Sequence, residues 1–253
     1  TLDFCARTII QSGNIGQVQA LTDEQIELFH CRDNHLPAFT PGFHTSTERA
    51  LRKTVTDIVH RAYDRHLMSS TEGTASVRVD EQSFLITPYG VDRKYMEIED
   101  LVLVQDGCSE DGKNPSRAVR LHDLIYREHP EIGSIITAQS PHAIIFSVTG
   151  KAFDTRTIPE SYLILRDIPL IPFGCQCTQP EVISSALSPD TPVLLIQNDA
   201  ILTTGGNILE AFDRLEVADF SAKSLANTSH IGDLVPISDA DIVELEKHFF
   251  KNR

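Results

Sequence analysis

Apolar and polar positions repeat with two different periods along this chain, and the period predicts the element. After Thr45, the residues Leu51, Val55, Ile58, Val59, Ala62 and Tyr63 recur at helical spacing and form one apolar stripe. Thr45 with Glu48 three residues later supplies a capping box at the helix start. The stretch TEGTASVRVDEQSFLITPYG then turns β-rich on both sides of Asp80, Glu81 and Gln82, which predicts an antiparallel hairpin. IEDLVLVQDG predicts a further strand ending in a turn, and SRAVRLHDLIYREHP a helix that stops at Pro130.

Ser134 to Gly150, SIITAQSPHAIIFSVTG, is a buried strand running into a helix with proline in its first turn. IPLIPFG and TPVLLIQND are short apolar strands bounded by Pro, Gly and Asp. GGNILEAFDRLEVADFSAKSLANTS predicts a long helix and SDADIVELEKHFFKN a last one. Before all of these, HCRDNHLPAFTPGFH (30–44) has two prolines and no period, so it reads as a linker or a surface-hugging loop. Strands and helices mix rather than strictly alternate, which predicts a central, partly antiparallel sheet flanked by helices. No glycine-rich nucleotide fingerprint occurs.

The chain has 253 residues, enough for a substantial core in one large domain or two small ones. A formal net charge of −14 argues against coating nucleic acid or an anionic membrane, since both need a basic face. The five cysteines are an odd number at low density, which implies no disulfide framework and suits a reducing cytosol. No apolar run approaches the roughly 18 residues of a membrane span. TLDFCARTIIQSG lacks the basic start and apolar centre of a signal peptide, so a cytoplasmic location is expected.

The two ends echo one another. TLDFCARTIIQSGNIGQVQALTDEQIELF (1–29) aligns without a gap to VADFSAKSLANTSHIGDLVPISDADIVEL (217–245). Asp3, Phe4, Ala6, Ile15, Gly16, Asp23 and Ile26 meet Asp219, Phe220, Ala222, Ile231, Gly232, Asp239 and Ile242. The expectation is a tandem duplication, in which residues 1–29 are the tail of a preceding homologous domain, 30–44 a linker and 45–253 the second domain.

Five segments in order carry a resemblance: EGTASVRV, FLITPYG, NPSRAVRLHDLIYREHPEIGSII, SPHAIIFSV and VLLIQNDAILTTGGNILEAFDRLE. They resemble the class II aldolase/adducin family, which includes sugar-phosphate aldolases, a 4-epimerase and the non-enzymatic adducin head. The resemblance implies a three-layer α/β/α fold with a central, mostly antiparallel sheet. It also implies an oligomer, a ring of four, with sites at subunit interfaces. Members of the family normally bind zinc through a His-x-His strand and one later His, with a Glu handling protons. The metal stabilises the enediolate left by carbon–carbon cleavage.

Here the His-x-His positions fall on Thr137 and Gln139, the later His on Asp199, and the Glu on Ala118. Thr, Gln and one Asp make a poor zinc set, so no metal residue and no cofactor are predicted. The phosphate cradle falls on Gly73, Thr74, Gly90, Ser116 and Arg117, with Tyr89 where a small hydroxyl would sit. Arg117 can grip a phosphate or carboxylate, or it is a plain surface arginine.

In RTIPESYLILRD, Glu160 and Tyr162 lie near the position of a family tyrosine that reaches a neighbouring subunit's site. They can form a new acid/base pair, or Glu160 simply opens a short helix while Arg166 pairs with an acid. Cys175-x-Cys177, the loop residues His30, Cys31, His35 and His44, and His142 are weak metal candidates.

The expected function is therefore carbohydrate metabolism by a degenerate member, the non-catalytic half of a tandem aldolase or epimerase. Alternatives are a remodelled enzyme using Glu160, Asp199 and Arg117, or an adducin-like interaction module whose old pocket Tyr89 fills. The expected partners are a sugar-phosphate-like ligand and either identical subunits or an upstream homologous domain, with no nucleic acid and no membrane.

Overall fold

The computed structural model describes residues 8–29, 33–228 and 231–250. Its elements, in chain order, begin with α1 (Asp23–Phe29), β1 (Ala38–Phe39), α2 (Ser46–Asp64), β2 (Thr74–Arg78) and β3 (Ser83–Ile86). β4 (Val102–Gln105), β5 (Cys108–Glu110), α3 (Val119–Glu128), β6 (Ser134–Ala138), α4 (Ala143–Thr149) and α5 (Pro159–Leu165) follow. The chain ends with β7 (Leu170–Ile171), α6 (Cys175–Thr178), α7 (Pro180–Ala186), β8 (Val193–Ile196), β9 (Ala200–Gly205), α8 (Ile208–Thr228) and α9 (Asp239–Phe249).

The strands form one sheet in the order β1-β5-β4-β3-β2-β6-β9-β8-β7. The β1–β5 and β7–β8 pairs are parallel and the others antiparallel. Successive side chains of a strand point to opposite faces, and here both faces are apolar. Leu85, Leu103, Ile136, Leu195 and Ile201 join α2, α4 and α8 in one core. Their chain neighbours Phe84, Ile86, Val104, Ile135, Leu194 and Leu202 join α3 and α7 in a second core. The result is the three-layer α/β/α arrangement with a mostly antiparallel sheet.

Local sequence accounts for most boundaries. Thr45 Oγ1 accepts the Glu48 N–H at 3.1 Å, which caps α2. The other half of the capping box is not made, because Arg52 Nε takes Glu48 Oε1 at 2.8 Å. Several elements were not foreseen, β5 among them. The 30–44 stretch, expected to be a linker or loop, contributes β1, which pairs Ala38 with Ser109 at the sheet edge. Ala200–Gly205 forms β9, a hairpin partner of β8 that lies inside the sheet between β8 and β6. GCQCTQPEVISSA, for which the sequence suggested no element, forms the short helices α6 and α7.

Arg52 is the charge around which one end of the sheet is built. It is buried, donates to Glu48 and to Glu110 Oε2 at 3.1 Å, and also reaches the Leu101 carbonyl at 2.6 Å. Burial pushes the Glu110 carboxyl up, but the Leu103 N–H, Lys113 and Arg52 together bring it below the usual range. Arg52→Ala takes away the guanidinium shared by two buried carboxylates, leaving only His44 beside Glu48 and Lys113 beside Glu110. It is expected to lower unfolding free energy by about 3–5 kcal/mol, read by urea denaturation. A loss within ~0.5 kcal/mol, as for an ordinary surface change, would refute this role.

Candidate functional site

Between the start of α3, the end of β6 and the β8–β9 turn lies a cavity of about 230 Å³. Ala118 and Arg117 line it from the α3 N-terminus, Thr137 from β6, Asp199 from the β8–β9 turn, and Gln176 and Cys177 from α6. Asp33 and Arg120 also line it. Ala118, Thr137 and Asp199, three positions that the resemblance assigns to metal and proton chemistry, thus share one wall. Gln139, the fourth, is not a lining residue.

The side chains present do not suit zinc. Thr137 offers a neutral hydroxyl, Ala118 offers nothing, and the Asp199 carboxylate accepts from Gln176 Nε2 at 2.9 Å. Among the described residues no three His, Cys, Asp or Glu side chains gather as a metal-binding group. Cys175 is buried and its thiol is pushed up by that burial. His35 pairs with Asp33 at 2.8 Å, and His44 with Glu48 at 2.8 Å. His142 is held by Asp219 at 2.8 Å and does not line the cavity. His30 and Cys31 lie outside the described residues.

Thr137 belongs instead to a chain of hydrogen bonds that the sequence reading missed. His122, fully buried on α3, places Nε2 3.2 Å from Thr137 Oγ1. Its Nδ1 lies 2.8 Å from Ser76 Oγ on β2, and Ser76 Oγ lies 2.8 Å from the Tyr126 hydroxyl. Burial alone lowers His122 to about 3 and raises the Tyr126 hydroxyl, so both groups are neutral at pH 7. The signal for His122 was a polar residue on the apolar stripe Val119, His122 and Tyr126 of a predicted helix.

The cradle residues sit beside the cavity. Thr74 Oγ1 and Ser116 Oγ are 2.5 Å apart and buried. Gly73 and Gly90 adopt φ of 97° and 74°, a left-handed backbone that favours glycine. Arg93, also missed, ties these two turns together by donating to the Gly73 carbonyl at 3.1 Å and to the Pro88 carbonyl at 3.0 Å. Burial lowers its guanidinium to about 10, so it stays charged at neutral pH. Arg117 approaches Glu72 at 3.4 Å and lies over the Tyr89 ring at 5.4 Å. Tyr89 is 49% exposed and is not a lining residue, so it does not fill the pocket.

Arg117 and Asp199 are therefore brought together, whereas Glu160 and Tyr162 are elsewhere. Glu160 is an exposed first-turn residue of α5 behind Pro159. The Tyr162 hydroxyl donates to Glu246 Oε1 of α9 at 2.7 Å. Burial, reinforced by Glu246, pushes that hydroxyl up to about 12. Arg166 pairs with Asp190 at 2.7 Å and with Glu246 at 3.3 Å, and stacks over Tyr162 and Phe250. Glu160 and Tyr162 thus sit where α9 docks on α5, not in the cavity wall.

Comparison with known proteins agrees with this architecture. Residues 53–226 match the model of the Class II Aldolase and Adducin N-terminal domain. An L-fuculose phosphate aldolase of Methanococcus vannielii is 28% identical over 66% of this chain and 90% of its own length. A 3,4-dihydroxyphthalate decarboxylase of Arthrobacter keyseri is 24% identical over 82% of this chain and 89% of its own. The solved L-fuculose 1-phosphate aldolase of Glaciozyma antarctica superposes with a TM-score of 0.69 at 20% identity, covering 83% of this chain and 86% of that one. The chain belongs to the class II aldolase/adducin family. No helix among the described residues is long and apolar enough to cross a membrane.

The His122 environment makes a pH prediction. Its folded value of about 3 lies below the unfolded value of 6.5, so below pH 6.5 the unfolded chain takes up a proton that the folded chain refuses. Stability is fully present above pH 6.5 and falls as the pH drops from there toward 3. The fall approaches about 1.4 kcal/mol per pH unit from this group. Urea unfolding of His122→Gln is expected to lose that share of the slope. An unchanged slope would mean that His122 is protonated in the fold.

Proposed function

We propose that this chain is a ligand-binding member of its family that recognises a small anionic, hydroxylated molecule of the sugar-phosphate class without a metal of its own. It serves as the half lacking a metal centre in a tandem or oligomeric assembly with a homologous, metal-bearing domain. One observation carries the reading. Ala118, Thr137 and Asp199 share an open cavity whose donors do not suit zinc, while Arg117 and Arg120 line the same cavity.

Two features support a polar, anionic ligand. Arg117 stands beside the glycine turns and the Thr74–Ser116 pair, where a guanidinium can bind a phosphate or carboxylate through two parallel N–H donors. Gln176, oriented by its bond to Asp199, leaves its buried Oε1 without a protein partner, and a ligand hydroxyl would satisfy such an acceptor. The remodelled-enzyme reading keeps one supporting observation, that Arg117 and Asp199 face the same cavity. In it Asp199 is the base, and Glu160 has no part.

Elemental analysis of the purified chain and calorimetric titration with dihydroxyacetone phosphate test this reading together. The expected outcome is zinc, manganese and iron well below one equivalent, with measurable binding of the phosphate compound. Arg117→Ala is expected to weaken binding by about tenfold to a hundredfold, the loss of a charge-assisted contact. Near-stoichiometric metal, or binding indifferent to Arg117, would overturn it. Cleavage activity abolished by Asp199→Asn in metal-free protein would favour the remodelled enzyme instead.

A further inference from the structure

The echo between the chain's two ends is also an echo of backbone geometry. Ile15 N–H and Gly16 N–H both donate to the Ser12 carbonyl, at 3.0 and 2.9 Å. At the same offset, Ile231 N–H and Gly232 N–H both donate to the Thr228 carbonyl, at 2.8 and 3.1 Å. Thr22 Oγ1 caps α1 through Gln25 N–H at 3.3 Å, and Ser238 Oγ caps α9 through Asp241 N–H at 3.2 Å. Each copy is thus a helix end, a tight turn at Ile-Gly, an extended link and a capped helix.

The two copies differ in what they touch. In the first copy Thr8 and Ser12 are buried, and Ile15 packs against the core. A Cβ on Gly16 would lie 2.9 Å from Lys151 Cε. Gln19 N–H donates to the Val148 carbonyl at 2.8 Å, and Asn198 Nδ2 donates to the Gln19 carbonyl at 2.6 Å. The first copy therefore occupies a groove between the end of α4 and the β8–β9 turn, beside Asp199 of the cavity wall. Farther along, Leu28 of α1 leans on the Gly174 turn that precedes Gln176 and Cys177. In the second copy the contact positions are open: Ile231 is 89% exposed, Val235 is 85% exposed, and nothing lies within 4 Å of a Cβ on Gly232.

We infer that Ile231–Ile237 is a docking element for a second domain of this same fold, binding its groove between the α4 end and the β8–β9 turn as residues 15–21 bind this one. The Ile-Gly turn is the plug, and the groove beside the cavity is its receptor. In this chain the receptor is already capped in cis, at an effective concentration of about millimolar. The second copy is thus left for a homologous domain whose groove is open. Domains so joined run head to tail, each rimming the next one's cavity. The inference extends the tandem part of the proposed function and is independent of what the cavity binds, because its test contains no sugar phosphate.

The test uses a fluorescein-labelled peptide with the sequence of residues 224–237, titrated against the full chain and against Ile15→Asp, with anisotropy as the readout. The expected result is apparent affinity for Ile15→Asp at least about tenfold tighter than for the unaltered chain, whose own plug competes. The same peptide carrying Ile231→Asp is expected not to bind. Equal weak binding to both proteins, or binding indifferent to Ile231, overturns the inference. A second variant guards against simple misfolding, with residues 12–19 replaced by the sequence of 228–235, TSHIGDLV. If the elements are interchangeable plugs, it melts close to the parent and well above a scrambled replacement. Melting together with the scrambled variant overturns the equivalence.

Discussion

The register between β2 and β6 is the constraint on which the site depends. Thr74 lies opposite Thr137, and Ser76 lies opposite Ile135. Side chains alternate along a strand, so Thr74, Ser76 and Thr137 all face α3. That one register sets Thr74 against Ser116, Ser76 against His122 and Tyr126, and Thr137 against His122. A slip of one residue would turn the whole set to the opposite face and drive Ala75 and Ile136 into its place. The apolar residues of both strands oppose such a slip, since each face has its own core.

The wall that the resemblance assigns to a metal carries here a neutral His122–Thr137 pair and a single carboxylate, Asp199. A cluster of imidazoles and a carboxylate tolerates burial when a cation joins them, and without one its charges stand unpaired. Here Thr137 answers a neutral His122, and Asp199 takes the amide of Gln176. Arg117, Arg120 and Asp33 line the same cavity and add further charge to it. Arg93 stays buried and charged because three backbone carbonyls surround it. It locks the Gly73 and Pro88 turns as a scaffold rather than a reagent.

The two ends of the chain meet different fates for a packing reason. The helix-turn at Ile15 finds the groove beside the β8–β9 hairpin of its own domain, whereas Ile231, at the matching position beyond α8, stays exposed. Tyr162, Arg166 and Glu246 then fasten α9 to α5. A residue near a family tyrosine's position is thus committed to holding the C-terminal helix.

Much was legible in the order of residues. Two-faced apolar strands, the Thr45 cap, the long α8 pattern and five ordered segments defined the sheet, its layers and the family. The chemistry of Ala118, Thr137 and Asp199 was equally visible, because it is a property of the residue itself. What tertiary structure alone decided was adjacency. β1 and β9 are strands because an open sheet edge and the gap between β6 and β8 accepted them, with no strong local period to announce them. His122 and Arg93 matter through burial and through partners 15 to 46 residues away in the chain, as Thr137 and Gly73 show. Glu160 and Tyr162 fell outside the cavity because α9 packs on α5, a long-range contact that no local pattern encodes. The sequence by itself determined which chemistry was available, and the fold decided which groups meet, since only packing brings distant residues within hydrogen-bonding reach.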